Sequence, residues 1–215
     1  MADDVVDLAD STIKPGPARD RIIAAAIEFL WDRPYRELTA GELMQRTGLS
    51  RPAFYQYFRN VNDLVTTLLE DLLTAMVEAA GPWFASDENP IEDLRTSLSG
   101  VAGVCQTHGP VFRAVVEAAP LDAELEQAWS AFMTSWDESV ATRIRSQQEL
   151  GLVDARLDPD RIARTFNQMD AAVLVEAFGR RPQADLDEVV DALHMIWTRT
   201  LYGSIEHFNT SPGRR

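Results

Sequence analysis

The chain has 215 residues, 46% of them hydrophobic, and a net charge of −14, which is enough apolar content for a core and too much for a disordered protein. No apolar run approaches the ~18 residues of a membrane helix, the acidic start MADDVVDLAD lacks the basic n-region of a secretory signal, and a lone Cys105 rules out an internal disulfide. That cysteine and three histidines have no metal-ligand spacing, so no metal or other cofactor is expected, and a reducing cytoplasm is the expected compartment.

The charge is unevenly spread. Residues 1–13 carry four aspartates and no base, residues 14–59 carry eight basic groups against five acidic, and the remainder carries 12 basic against 25 acidic. Net positive charge is confined to one segment, residues 14–59. That arrangement suits a protein that meets an anionic partner on one face and repels it elsewhere.

Ile22, Ile23, Ala26, Ile27 and Leu30 repeat at the spacing of one helix face, which predicts a first helix over 18–31. Thr39-Ala-Gly-Glu42 has the form of a capping box, with Thr39 as N-cap and Glu42 reaching back, and Gly48 can take the left-handed conformation that stops the second helix near Thr47. Ser50 opens the third helix, and Pro52 sits in its first turn, where a missing N–H costs nothing. The Ser50 hydroxyl is then expected to bond the amide of Ala53. Phe54 and Phe58, four apart, face the core together. Tyr55, Gln56 and Tyr57 cannot all share that side. Asn60 caps a fourth helix whose apolar stripe runs from Val61 to about Glu78, and Gly81-Pro82 is expected to end it. Asn89-Pro90 starts a fifth helix, and Gly109-Pro110 is expected to break the chain before a short sixth. Residues 122–149 form a seventh, Asp158-Pro159 starts an eighth, and Asp185-x-x-Glu188 caps a ninth. The fold class is therefore all-α, with about nine helices.

Two short helices joined by a glycine turn, with a first helix behind them, define helix-turn-helix geometry. The run from Thr39 through GLSRPAFYQYF to the fourth helix resembles the N-terminal signature of the TetR family of bacterial repressors, in which a threonine opens helix two and a G-x-S-x-x-x-x-Y-x-Y/H-F run spans the turn and recognition helix. The matching residues are Thr39, Gly48, Ser50, Tyr55, Tyr57 and Phe58. The C-terminal part resembles the ethionamide-resistance regulator type through AWSAFMTSW (128–136), FNQMD (166–170) and MIWTRTLYG (195–203). The resemblance implies residues 17–62 as a DNA-binding domain and 63–208 as a ligand-binding and dimerisation domain. Residues 1–16 and 209–215 are read as a disordered arm and tail.

On that reading, Arg51, Ala53 and Gln56 point toward base edges, Arg pairing best with guanine and Gln with adenine. Ser50 and Pro52 shape the same element. Thr39, Tyr55 and Tyr57 suit phosphate oxygens, and Lys14 and Arg19 add charge. The family often has a lysine at the position of Asn62, so one phosphate charge contact is lost there.

In the body, Trp129, Phe132 and Trp136 lie at i, i+3, i+7, a spacing that fits either core or a pocket wall. Asp170 sits within the apolar face of the eighth helix, beside Asn167. A buried carboxylate without a partner is costly, so either a ligand or a cross-interface arginine is expected to meet it. The resemblance implies that Trp129, Trp136, Asn167 and Trp197 line a long apolar channel, with Leu94, Val101 and Cys105 replacing aromatic lining residues. The expected partners are an operator duplex, a small apolar effector and a second copy of the chain, joined through the last two helices. Leu193, Trp197 and Leu201 are the candidate interface or near-interface residues. His108 and Glu117 make no acid–base pair, Cys105 reads as a small buried hydrophobe, and no catalytic constellation is found. Two rival classes stay open: an acidic helical interaction module, and an enzyme using the aromatic pocket.

Overall fold

A computed structural model describes residues 17–203. Lys14 and the segments 1–16 and 209–215 lie outside them. The described residues form eight α-helices: α1 (Pro17–Asp32), α2 (Ala40–Thr47), α3 (Arg51–Tyr55), α4 (Val61–Ala85), α5 (Pro90–Ala118), α6 (Ala123–Glu149), α7 (Pro159–Phe178) and α8 (Leu186–Leu201). Two 3-10 turns, Tyr35–Glu37 and Ala119–Leu121, complete the secondary structure, and no strand occurs among the described residues. Nor is any described helix long and apolar enough to cross a membrane.

Most of the predicted boundaries rest on caps that form. Thr39 Oγ1 accepts the Glu42 amide at 3.1 Å, and Gly48, at φ 67°, returns its N–H to the Met44 carbonyl. Asn60, Asp122, Asp158 and Asp185 each accept amides from the first turn of the following helix. The capping box at α2 is only half made. The Glu42 carboxylate goes to Arg46 Nε at 3.1 Å instead of reaching back. Ser50 also departs from expectation, because the Ala53 amide bonds the Ser50 carbonyl at 2.9 Å and the hydroxyl makes no cap.

Two prolines do not end their helices: α4 runs on past the first, and two predicted helices merge across the second, so the count is eight and not nine. Past Pro82, the displaced Trp83 amide donates to Ser97 Oγ on α5 at 2.9 Å, and that hydroxyl donates to the Ala80 carbonyl at 2.8 Å. Arg143 from α6 then holds the end of α4, donating to the carbonyls of Trp83 (2.8 Å) and Ser86 (2.5 Å). Pro110 leaves the carbonyl of Gln106, four residues back, without its helical donor. Gln183 supplies one at 2.8 Å and also donates to Phe178 at 3.0 Å. The predicted fifth and sixth helices are thus the single α5.

Helices α1–α3 close over Ile22, Phe29, Leu30, Leu43, Phe54 and Phe58, all buried. Two links do most to hold this small domain to the body, beside the reach of Arg181 to Glu28 and Trp31 of α1. Arg113 of α5, itself buried, donates to the Leu30 carbonyl in the last turn of α1 at 2.5 Å and to the Arg33 carbonyl just beyond its end at 3.1 Å. The second link is α4, whose 25 residues reach about 37 Å at 1.5 Å per residue. It begins beside α3 and ends among the helices of the body.

Candidate nucleic-acid interface and ligand cavity

Residues 50–57 occupy one very short helix and the turn that follows. Ser50, Arg51, Pro52 and Gln56 are exposed, Tyr55 is 52% exposed, and Ala53 and Tyr57 are half-buried. Phe54 and Phe58 anchor this element from below, with ring centroids 5.6 Å apart, and the Tyr55 ring stands edge-on to Phe54 at 5.4 Å. Arg19, in the first turns of α1, lies over the Phe58 ring at 5.7 Å. Thr39 is exposed at the start of α2. Arg33, Arg46 and Arg59 are paired with Glu37, Glu42 and Asp63. The exposed Arg51 has no ion-pair partner among the described residues.

Asn62 is placed differently from the expectation. Its amide nitrogen donates to Asp122, the N-cap of α6, and its carbonyl oxygen accepts from the Tyr35 hydroxyl. The oxygen and one of the two amide N–H groups are committed within the chain, so Asn62 ties the start of α4 to the body and keeps a single N–H for any further partner. Nothing in the local sequence signals this, because its partners are 27 and 60 residues away.

The body holds a partly open cavity of about 60 Å³. Trp129, Phe132, Trp136, Asn167, Asp170 and Trp197 all face it. The aromatic rings form a continuous series. Phe112, Trp129, Phe132, Trp136 and Phe84 follow one another at centroid separations of 5.5, 5.7, 5.5 and 6.5 Å. Trp83, Trp197 and Phe166 continue it at 5.1, 5.6 and 4.2 Å. Helix α4 contributes Met76, Ala80, Trp83 and Phe84 to the wall, and the last three lie beyond the end near Glu78 that the sequence predicts for that helix. The i, i+4, i+7 spacing of Met76, Ala80 and Trp83 carries the signal. Leu94 and Val101 also line the cavity. Cys105 is fully buried, and burial first and then the Asp170 charge push its thiol up to about 12, where it is inert.

Leu193, Trp197 and Leu201 are buried within the chain, at 1–3% exposure, so they lie behind the outer surface of α8 and not on it. The exposed apolar side chains of α8 are Met195 (49%) and Ile196 (43%).

Asp170 is the most perturbed group in the cavity. The Trp197 indole N–H lies 3.2 and 3.1 Å from its two oxygens. Desolvation pushes the carboxyl up to about 7, against the lowering effect of that hydrogen bond. The folded chain therefore keeps a proton that the unfolded chain loses near the ordinary 3.8. Stability is expected to fall as pH rises from 3.8 to about 7 and to level off above that. Asp170→Asn should flatten the slope. Urea titrations of both proteins at either end of this window check it, and an equal pH dependence would contradict the assignment.

A helix-turn-helix with exposed side chains on its third helix, joined by one long helix to a cavity-bearing helical body, defines the class as a DNA-binding transcriptional regulator. Residues 22–68 match the family described as bacterial regulatory proteins, tetR family, and residues 94–203 match the C-terminal domain of the transcriptional regulator EthR. The chain belongs to the TetR family of transcriptional regulators and has an EthR-type C-terminal domain. It is 30% identical over 188 residues to the HTH-type transcriptional regulator EthR of Mycobacterium tuberculosis, covering 85% of this chain and 86% of the relative. It is 25% identical to EthR of Mycolicibacterium smegmatis, over 86% of both chains. The fold is shared with the TetR-family regulator PfmR of Thermus thermophilus, with a TM-score of 0.72 over 85% of this chain and 99% of that one, at 21% identity.

Proposed function

We propose that the chain is a homodimeric repressor that holds a palindromic operator and releases it when a small apolar molecule fills the cavity of the body. Residues 17–62 read DNA, and residues 63–208 sense the ligand and dimerise through α7 and α8. The single observation that carries this reading is the reach of α4. The same helix starts directly after the recognition element and supplies Met76, Ala80, Trp83 and Phe84 to the cavity wall. A ligand that favours one position of α4 thereby favours one spacing of the two recognition elements. Operator half-sites lie about 34–36 Å apart or at multiples of that distance, so a changed spacing weakens binding. The coupling is reciprocal and is typically ~1–3 kcal/mol. Dimerisation is supported by the exposed Met195 and Ile196 on α8, since exposed apolar side chains gain from being covered by a partner.

Selection of bound sequences from random duplexes by the full chain tests the reading. Inverted repeats are expected, and an operator recovered this way should be released by lipophilic probes over the range in which they raise the melting temperature. Single half-sites, or no enrichment, would contradict it. On the selected duplex, Arg51→Ala should cost about 1–3 kcal/mol and relax preference at one base pair, whereas Tyr57→Phe should weaken all sequences alike. Competition binding against single-base variants of the operator separates the two. A uniform loss for Arg51→Ala would reassign that residue to phosphate.

A further inference from the structure

We infer that the effector carries a protonated amine on an apolar body, and that Asp170 is its counter-charge. This rests on the ligand-sensing reading above and specifies the chemistry of that site. Three polar side chains besides the indoles face the cavity: Ser97, Asn167 and Asp170. Ser97 is used by the kinked end of α4, accepting from Trp83 and donating to Ala80. Asn167 donates its amide to Asp137 Oδ1 at 2.7 Å. Asp170 has two oxygens for one donor, the Trp197 indole, shared between them at distances above 3 Å. An ionised carboxylate offers about four acceptor positions, so this group has unused capacity directed at the cavity.

The surroundings decide which donor fits. From α8, Trp197 supplies one neutral N–H. From α5, Cys105 is a neutral thiol. From α6, Asp137 adds a second negative charge on the far side of Asn167. The wall from α4 contains no titratable group. No arginine, lysine or histidine among the described residues pairs with Asp170. A fatty carboxylate would meet like charge in a desolvated site. A neutral apolar ligand would leave the carboxylate unpaired, or hold it protonated. An ammonium supplies the missing charge and donors together, and the indole and phenyl faces around it attract cations.

The full-length protein can be titrated with n-decylamine, 1-decanol and decanoate, read by tryptophan fluorescence and by thermal shift. Near pH 8 the amine is expected to bind at least about tenfold more tightly than the alcohol, with decanoate weakest, because a charge-assisted pair discriminates against its neutral isostere. Amine affinity should fall on acidification through about 7, as Asp170 takes up a proton, while alcohol affinity should not. Asp170→Asn retains an acceptor for Trp197 and should remove the amine preference, leaving alcohol binding within a factor of about three. Should that variant fail to fold, the ladder of three probes on the unmodified protein decides alone. Equal binding of amine and alcohol, with no pH dependence, overturns the amine inference and leaves the apolar cavity intact. Binding of none of the three probes removes the ligand-sensing reading itself.

Discussion

Truncating Trp83 to alanine is expected to cost the fold about 3–5 kcal/mol, the range for removing a fully buried large aromatic side chain. Several contacts would be lost at once. The indole is 2% exposed and stands edge-on to Phe84 and Trp197 at 5.1 and 5.6 Å. The Arg143 guanidinium lies 5.8 Å from its ring centre. Its Nε1 donates to the Tyr202 hydroxyl at 2.9 Å, which in turn donates to Gln147 Oε1 at 2.8 Å. Trp83→Phe keeps a ring but strands the Tyr202 oxygen without its donor, and should lose about 1–3 kcal/mol, combining one buried hydrogen bond with partial cavity formation. Denaturant midpoints at constant slope measure both. A loss below about 1 kcal/mol for the alanine variant would mean that the neighbouring aromatics collapse into the space. Because Trp83 also lines the cavity, the alanine variant should accept a bulkier lipophile than the unmodified protein and regain part of its stability by mass action.

Gly109→Ala and Gly103→Ala should move stability in opposite directions, although both lie in α5. A Cβ at Gly109 would stand 2.1 Å from the Phe178 carbonyl oxygen and 2.6 Å from its carbon. Both are main-chain atoms at the end of α7, where Phe178 is fully buried. No side chain can swing away, so α7 must retreat from α5, and the bridge from Gln183 to Gln106 and Phe178 is pulled apart. A loss of about 3 kcal/mol is expected, at the upper end of ordinary overpacking. At Gly103 a Cβ meets nothing within 4 Å, and alanine should gain about 0.5–1 kcal/mol by its helix propensity. Thermal melts of the two variants side by side give the sign directly. Two shifts of the same sign would show that the α5–α7 approach is looser than these distances imply.

Much of this protein is legible in its sequence because the deciding interactions are local. The N-caps Thr39, Asn60, Asp122, Asp158 and Asp185 bond amides two or three residues ahead of themselves, and Gly48 returns its amide to a carbonyl four residues back. Phe54 and Phe58 share a helix face by spacing alone, and both are buried as expected. The recognition element is contiguous, so residues 50–57 can be read as a unit. The aromatic stripe of α6 and the Asn167–Asp170 pair are also visible as patterns, and they meet at one cavity. Tertiary partners decided the rest. Gly-Pro pairs read as helix ends, yet α4 and α5 pass through theirs because Ser97 bonds the Trp83 amide and Ala80 carbonyl beside Pro82, and Gln183 takes the Gln106 carbonyl that Pro110 frees. Asn62 reads as an exposed donor, yet Tyr35 takes its oxygen and Asp122 one of its two N–H groups. Leu193, Trp197 and Leu201 read as interface or near-interface, yet their own chain covers them. Local sequence determined which groups need partners. Only the packing of distant helices determined which partners they found, because a hydrogen bond or a buried face depends on proximity in space and carries no mark of it along the chain.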